Sequence, residues 1–175
     1  KELLDVLSIK KNVVVLPNGI DFDVFQPVEK NEAMQRIGWN PSLINILFCS
    51  DPQRKEKNYE LAEKAMQHLD PYKYPYKIHF LKNIPIPEMK YYYSAADVLL
   101  MTSLYEGSPN VIKEAMACNC PIVSTDVGDV KEVLAHTAGC YVTSFDDKDI
   151  CEKILLAMQY SKQRTQGREN VKHLD

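Results

Sequence analysis

The sequence predicts a single α/β domain in which helices cover both faces of a mainly parallel β-sheet. Short apolar runs rich in β-branched residues alternate with longer amphipathic runs along most of the 175 residues. The apolar runs carry few polar residues on either face, as strands do in a sheet that is covered on both sides. A chain of this length fits one domain of ordinary size.

Each element of this architecture has its own signal. The apolar runs predict strands at residues 13–16, 44–49, 77–81, 97–101, 121–124 and 139–142. Apolar residues at helical spacing predict helices at residues 61–69, 87–96, 111–118 and 150–158. Parallel sheets bind ligands beyond the carboxyl ends of their strands, so we look for chemistry in the loops after residues 16, 49, 101 and 124.

Composition narrows the classes of function. A formal net charge of −3 offers no general attraction for nucleic acid. The longest apolar runs fall short of the ~20 residues that a membrane-spanning helix needs. Five cysteines, an odd number lying mostly in apolar segments, indicate free thiols and a reducing cytoplasm. Cys118 and Cys120 have no second Cys or His pair at ligand spacing, so we expect no metal.

The most informative segment follows the strand at residues 97–101. Ser108 and Pro109 stand at helix-opening positions, so the backbone N–H groups of Asn110 and Val111 lack partners within the helix. Together with the helix dipole, these groups predict a phosphate site.

Two carboxylates flank this helix start. Glu106 lies on the strand-exit loop and Glu114 about one and a half turns into the helix. They are placed to accept hydrogen bonds from the sugar and ribose hydroxyls of a nucleotide sugar. The alternative is that both are solvated surface residues, the usual fate of glutamate.

Three further segments carry weaker signals. Arg54 and Lys57 follow the strand at 44–49, where positive charge could stabilise a departing diphosphate, although a run of charges is often only a solvated loop. Asn18 and Gly19 permit positive φ, so a tight loop explains them without a ligand. The turn at residues 127–129 lies beside the same predicted crevice.

Four segments in this order resemble the retaining glycosyltransferases that have two facing Rossmann-like domains, the GT-B architecture. The matching residues are Leu16 to Asp21 with Phe25 and Pro27, then Arg54 with Lys57 and Asn58, then Ala95 to Val98, and finally Glu106 to Cys118 with Pro121 to Val123. The last segment contains the E-x7-E motif of the family. The resemblance covers most of the chain.

The resemblance implies a Rossmann-like three-layer αβα sandwich, the C-terminal, donor-binding half of a GT-B fold. It implies that Glu106 contacts the transferred sugar and Glu114 the ribose. Arg54 and Lys57 would neutralise the diphosphate, assisted by the segment from Ser108 to Val111, and Gly19 would border the donor. Cys49 to Pro52 stand where many members carry a glycine-rich opening.

The implied reaction moves a sugar from a nucleoside diphosphate to an acceptor hydroxyl with retained configuration and without a bound metal or other cofactor. An N-terminal domain outside this chain would bind the acceptor, a glycan or lipid, and bring peripheral membrane association. We expect cytoplasmic polysaccharide or glycoconjugate synthesis and no nucleic-acid partner. UDP, GDP and ADP donors are not distinguished. Half of a sugar-nucleotide epimerase and a non-catalytic nucleotide-sugar-binding module are the alternatives.

Overall fold

A computed structural model of the chain describes residues 18–174. The predicted strand at residues 13–16 lies outside this range. Within it, the fold is the predicted three-layer α/β arrangement, with one sheet between two layers of helices.

The sheet contains five parallel strands in the order β2-β1-β3-β4-β5. The strands are β1 (Ile44–Phe48), β2 (Tyr76–Phe80), β3 (Val98–Met101), β4 (Ile122–Thr125) and β5 (Cys140–Thr143). β3 and β4 are buried along their whole length, which explains why their sequences lack polar alternation. The five strand predictions that fall within the described residues are confirmed.

Seven helices and two short 3-10 turns connect or flank the strands of the described chain. The helices are α1 (Lys30–Ile37), α2 (Tyr59–Met66), α3 (Ile86–Ala95), α4 (Asn110–Ala117), α5 (Val130–Leu134), α6 (Asp147–Met158) and α7 (Gly167–Asn170). α2 packs with α6, whereas α3, α4 and α5 pack side by side with α1 and α7 against them. Within residues 18–174, no helix has both the length and the apolar character needed to cross a membrane.

Three helices were absent from the sequence prediction. α1 buries only Ala33 and Met34, so its apolar stripe is too narrow to stand out. α5 and α7 have 5 and 4 residues, too few to show a helical period. The four predicted helices are confirmed, with ends that differ by at most three residues.

A buried charge cluster joins the layers at the amino end of the sheet. The ammonium of Lys30, on α1, lies 2.5 Å from Asp97 Oδ1 and 2.5 Å from Ser161 Oγ. Asp97 Oδ2 accepts a hydrogen bond of 2.6 Å from the backbone N–H of Asn45. This paired charge fixes α1 and the end of α6 to the strands, opposite the edge where ligands are expected.

The strand order indicates where a ligand would bind. From β1 the chain crosses to β2 on one side, and it then returns past β1 to β3 on the other side. The loops after β1 and β3 therefore diverge at the carboxyl edge of the sheet. In folds of this kind, ligands bind in the crevice outside such a topological switch point.

Candidate functional site

Lys57 and Glu106, predicted from separate loops, meet in this crevice. Lys57 Nζ lies 2.5 Å from Glu106 Oε1, and the two side chains are only 10% and 16% exposed. Lys57 follows β1 and Glu106 follows β3, so the two strands at the switch point each contribute one charge. Opposite charges shielded from water interact more strongly than an exposed pair.

The backbone of the Lys57 loop is held by the strand beside it. A 3-10 turn, Lys55–Lys57, ends at Asn58, which adopts φ 52°. Thr102, fully buried at the end of β3, donates its hydroxyl to the carbonyls of Lys57 and Asn58 at 3.1 and 2.9 Å. Lys57 is therefore presented from a loop that is bonded to the β3 side of the crevice.

A hydrogen bond from Ser103 orients the Glu106 carboxylate. Ser103 Oγ donates to Glu106 Oε1 at 2.8 Å, and the Ser103 carbonyl in turn accepts the hydroxyl of Thr125 at 2.8 Å. Ser103 and Lys57 both use Oε1, so Oε2 is the oxygen available to a ligand hydroxyl.

Cys49 is close to this pair but is not a nucleophile. Burial raises the pKa of the Cys49 thiol to about 12, although the nearby Lys57 acts in the opposite direction. The thiol therefore stays protonated at neutral pH, and only the thiolate is strongly nucleophilic.

The start of α4 differs in one respect from the sequence prediction. Pro109 occupies the N-cap position, and none of the side chains among residues 18–174 caps the helix. The Ser108 hydroxyl instead donates to Asp129 Oδ2 at 2.5 Å and accepts from Lys113 Nζ at 2.5 Å. The first N–H groups of α4, at Asn110 and Val111, are thus left without a side-chain cap, as an anion site requires.

Glu114 is held by a tyrosine from the neighbouring helix. The hydroxyl of Tyr93, a fully buried residue of α3, donates to Glu114 Oε2 at 2.6 Å. Burial raises the pKa of Glu114 above its ordinary value, and the hydrogen bond from Tyr93 partly opposes this. The carboxylate is therefore half-buried and oriented before any ligand arrives.

Arg54 and Gly19 occupy more peripheral positions. The guanidinium of Arg54 is 55% exposed and pairs with Glu56 at 2.6 Å, so the structure does not join it to the Lys57–Glu106 pair. Gly19 is not among the residues with positive φ; a Cβ on it would lie 3.2 Å from the Leu174 carbonyl. The Asn18 side chain donates to Asn110 Oδ1 at 3.3 Å, which brings this segment to the start of α4.

Sequence reasoning gave no individual role in the site to five residues that support it. They are Tyr93, Thr102, Ser103, Lys113 and Asp129. Thr102 and Ser103 follow a fully apolar strand directly, and that position is the one signal that could have identified them. Among residues 18–174, no group of three or more His, Cys, Asp or Glu side chains is arranged to hold a metal ion.

These features define the class of protein: a parallel α/β domain with a Lys–Glu ion pair and an uncapped helix start at its topological switch point. The chain belongs to the family Glycosyl transferases group 1, whose model matches residues 32–159. It has the fold of the C-terminal domain of a GT-B glycosyltransferase.

Curated relatives are longer than this chain. It is 25% identical over 149 residues to D-inositol 3-phosphate glycosyltransferase of Paenarthrobacter aurescens, covering 69% of this chain and 36% of the relative. It is 34% identical over 82 residues to O-antigen chain mannosyltransferase B of Escherichia coli, covering 47% of this chain and 21% of the relative. The match thus spans about a third or less of these relatives.

Solved structures share the fold at low identity. Sucrose-phosphate synthase from Thermosynechococcus elongatus has a TM-score of 0.75 and 21% identity, covering 99% of this chain and 51% of that one. The C-terminal domain of LpcC, a group 1 family protein from Francisella tularensis, has a TM-score of 0.72 and 20% identity, with 89% and 97% covered. HepE from Anabaena in complex with UDP has a TM-score of 0.70 and 15% identity, with 89% and 50% covered.

Proposed function

We propose that this domain binds a nucleoside-diphosphate sugar in the crevice between β1 and β3. In the full-length protein it would support transfer of that sugar, with retained configuration, to an acceptor hydroxyl. The observation that carries the proposal is the Lys57–Glu106 pair, 2.5 Å apart and shielded, beside the uncapped start of α4.

The diphosphate is the leaving group of this reaction. As the bond between the anomeric carbon and the diphosphate oxygen breaks, negative charge develops on that oxygen. Lys57 and the N–H groups of Asn110 and Val111 would stabilise this charge without a proton transfer. The acceptor oxygen would bond to the anomeric carbon on the face that the diphosphate leaves, and its proton would pass to the departing diphosphate oxygen. Membership in the glycosyltransferase family and the fold shared with a UDP-bound protein support this assignment.

The two glutamates would bind the two ends of the donor. Glu106, with Oε1 already bonded to Ser103 and Lys57, would accept a hydroxyl of the transferred sugar through Oε2. Glu114, oriented by Tyr93, would accept from the ribose. Carboxylates accept strong hydrogen bonds from hydroxyl groups, so each would add affinity and fix the donor's orientation. Arg54 would act only if its exposed side chain left Glu56.

The acceptor site belongs to the other half of the proposed enzyme. Relatives that match this chain are more than twice as long as the matched part. We propose that the remaining domain binds a glycan or lipid acceptor at the cytoplasmic face of a membrane, in polysaccharide or glycoconjugate synthesis. Donor binding would bring the two halves together around the sugar.

Calorimetric titration of the chain with UDP, GDP and ADP tests donor binding. We expect one of the three to bind, and Lys57→Gln to weaken that binding by roughly 10- to 100-fold, the effect of one hydrogen bond to a charged group. Lys162→Gln, at an exposed lysine, is the matched control. Thermal unfolding confirms that each variant is folded. The proposal fails if none of the three nucleotides binds, or if the two lysine variants bind equally.

A transferase assay of the full-length protein distinguishes an enzyme from a non-catalytic binding module. The full-length protein is incubated with a sugar nucleotide that carries the base identified by the titration. It should release nucleoside diphosphate, and Glu106→Gln should suppress this release. Binding without release in the presence of a panel of acceptor sugars would favour the non-catalytic alternative.

A further inference from the structure

We propose that Lys113 is a positioning residue which, with Asp129 and Ser108, holds the start of α4 and the Glu106 loop in their ligand-binding geometry. This inference rests on the proposed function, because it assigns a role beneath the same diphosphate site. Lys113 itself is 0% exposed and cannot touch a donor.

The ammonium of Lys113 connects three segments of the chain. Its Nζ lies 2.5 Å from Ser108 Oγ, 3.5 Å from Asp129 Oδ2 and 3.4 Å from the carbonyl oxygen of Asn18. Ser108 precedes α4, Asp129 follows β4, and Asn18 lies in the segment that also contacts Asn110. One buried side chain therefore links the loops around the helix start.

A lysine in this position needs an explanation. Lysine is almost never fully buried, because desolvating an ammonium group is costly unless it is paired and hydrogen-bonded. The neighbouring buried positions of α4 are apolar, namely Ile112, Ala115, Met116 and Ala117. An apolar chain such as methionine would fill the same space without that cost. Only the ammonium, however, can hold Ser108, Asp129 and Asn18 at once.

The turn after β4 supports the same loop from the other side. Gly128 has φ +59°, and a Cβ on it would lie 2.2 Å from the Gly107 carbonyl oxygen and 3.0 Å from that of Glu106. Asp129, the next residue, accepts the Ser108 hydroxyl at 2.5 Å. The turn thus packs directly against the backbone from Glu106 to Ser108, and Lys113 bonds to both sides of this contact.

The geometry of the phosphate site depends on this contact. Asn110 and Val111 follow Ser108 by two and three residues, so a shift of Ser108 moves their N–H groups. Oriented hydrogen-bond donors lose much of their effect when displaced by about 1 Å. Loss of the Lys113 network should therefore lower the affinity for the diphosphate group and leave the affinity for the nucleoside almost unchanged.

Nucleoside and nucleoside-diphosphate affinities distinguish positioning from general stability. We would titrate the wild-type chain, Lys113→Met, Ser108→Ala and the surface control Lys162→Met with two ligands, and follow binding by protein NMR. The ligands are the nucleoside diphosphate that binds the wild-type chain and the corresponding nucleoside. Lys113→Met and Ser108→Ala should weaken the diphosphate about tenfold and the nucleoside less than about twofold. Equal losses for the two ligands, or no loss in either variant, would overturn the inference.

Amide hydrogen exchange of the ligand-free chain gives a second readout that does not depend on the donor. Lys113→Met and Ser108→Ala should increase exchange, relative to Lys162→Met, within residues 106–111 more than in β3 or β4. Ser108→Ala retains the Lys113–Asp129 pair and should fold even if Lys113→Met does not. Failure of every nucleotide to bind would reject the proposed function, whereas unchanged local exchange in Ser108→Ala would reject the role of this network.

Discussion

At the scale of single residues, Glu114 shows how a proposed binding group opposes stability. Its carboxylate is shielded by the helices around it and receives one hydrogen bond, from Tyr93. Burial outweighs this bond, so the pKa of Glu114 is raised above its ordinary value of 4.5. No charged partner contributes to that shift. The chain therefore keeps a carboxylate at neutral pH in a place that favours the protonated acid.

Glu114→Gln should stabilise the chain at neutral pH and weaken nucleotide binding. Because the folded pKa is raised, the folded state binds the proton more readily than the unfolded state, and stability falls as pH rises from about 4.5 through the folded pKa. Glutamine removes the buried charge and can still accept the Tyr93 hydroxyl. Thermal unfolding at pH 7 should show a higher midpoint for the variant, and the advantage should shrink at pH 4.

Glu152→Gln, at an exposed position of α6, is the matched control and should leave the unfolding midpoint unchanged. A variant at Glu114 that is less stable than wild type at pH 7 would show that burial is not the dominant influence on this carboxylate.

At the scale of elements, the turns at the carboxyl edge are coupled to one another. The loop after β1 is bonded to the end of β3 through Thr102, and the loop after β3 packs on the turn after β4 through Gly128. Each loop thus contacts the end of a neighbouring strand, or the turn that follows it, in addition to its own strand. A substitution in one of these turns should therefore alter the geometry of the candidate site even if the substituted residue contacts no ligand.

Gly128→Ala should lower both stability and nucleotide affinity. A Cβ at this position would lie 2.2 Å from the Gly107 carbonyl oxygen, at φ +59°, so the Glu106 loop must move. We expect a loss of about 1–3 kcal/mol in unfolding free energy, typical of overpacking. Chemical denaturation and calorimetric titration of the same samples measure the two effects.

Gly139→Ala separates these effects. Gly139 has φ +89°, and a Cβ there would lie 2.7 Å from the Tyr160 ring, so this variant is strained as well. It precedes β5 at the amino end of the sheet, away from the crevice. It should therefore lose stability without losing nucleotide affinity. Equal affinities for the two alanine variants would contradict the coupling of the β4 turn to the site.

At the scale of the whole molecule, the described residues form one five-stranded α/β fold, which would supply one half of the proposed catalytic arrangement. The proposed site would bind a diphosphate and two sets of hydroxyls, and we assign the acceptor to a further domain. The matched region spans 36% of one curated relative and 21% of another. Donor binding and sugar transfer should therefore separate experimentally.

The purified chain should bind the donor nucleotide but not transfer sugar. The physical reason is that retaining transfer needs the acceptor hydroxyl held against the anomeric carbon, and a single domain leaves that side of the sugar open to water. Incubation with labelled sugar nucleotide and acceptor, beside the full-length protein, measures product directly. Turnover by the chain alone at a rate near that of the full-length protein would contradict the assignment of the acceptor site to a further domain.

Local patterns predicted the strands, four helices and the positions of Lys57, Glu106 and Glu114. A buried parallel strand and an amphipathic helix of two or more turns each have a signal within a few consecutive residues. The carboxyl ends of parallel strands share one edge, so the candidate site could be assigned to that edge from the sequence. The short helices α5 and α7 had no such signal.

The sequence by itself determined the fold class, the edge of the sheet where the site lies and the charged groups that would carry its chemistry. Only the tertiary structure decided that Ser108 bonds to Lys113 and Asp129 and that Tyr93 holds Glu114. It also showed Arg54 paired with Glu56. The reason is physical: strand and helix patterns are local, whereas the hydrogen bonds of a buried polar group depend on residues brought together from distant parts of the chain.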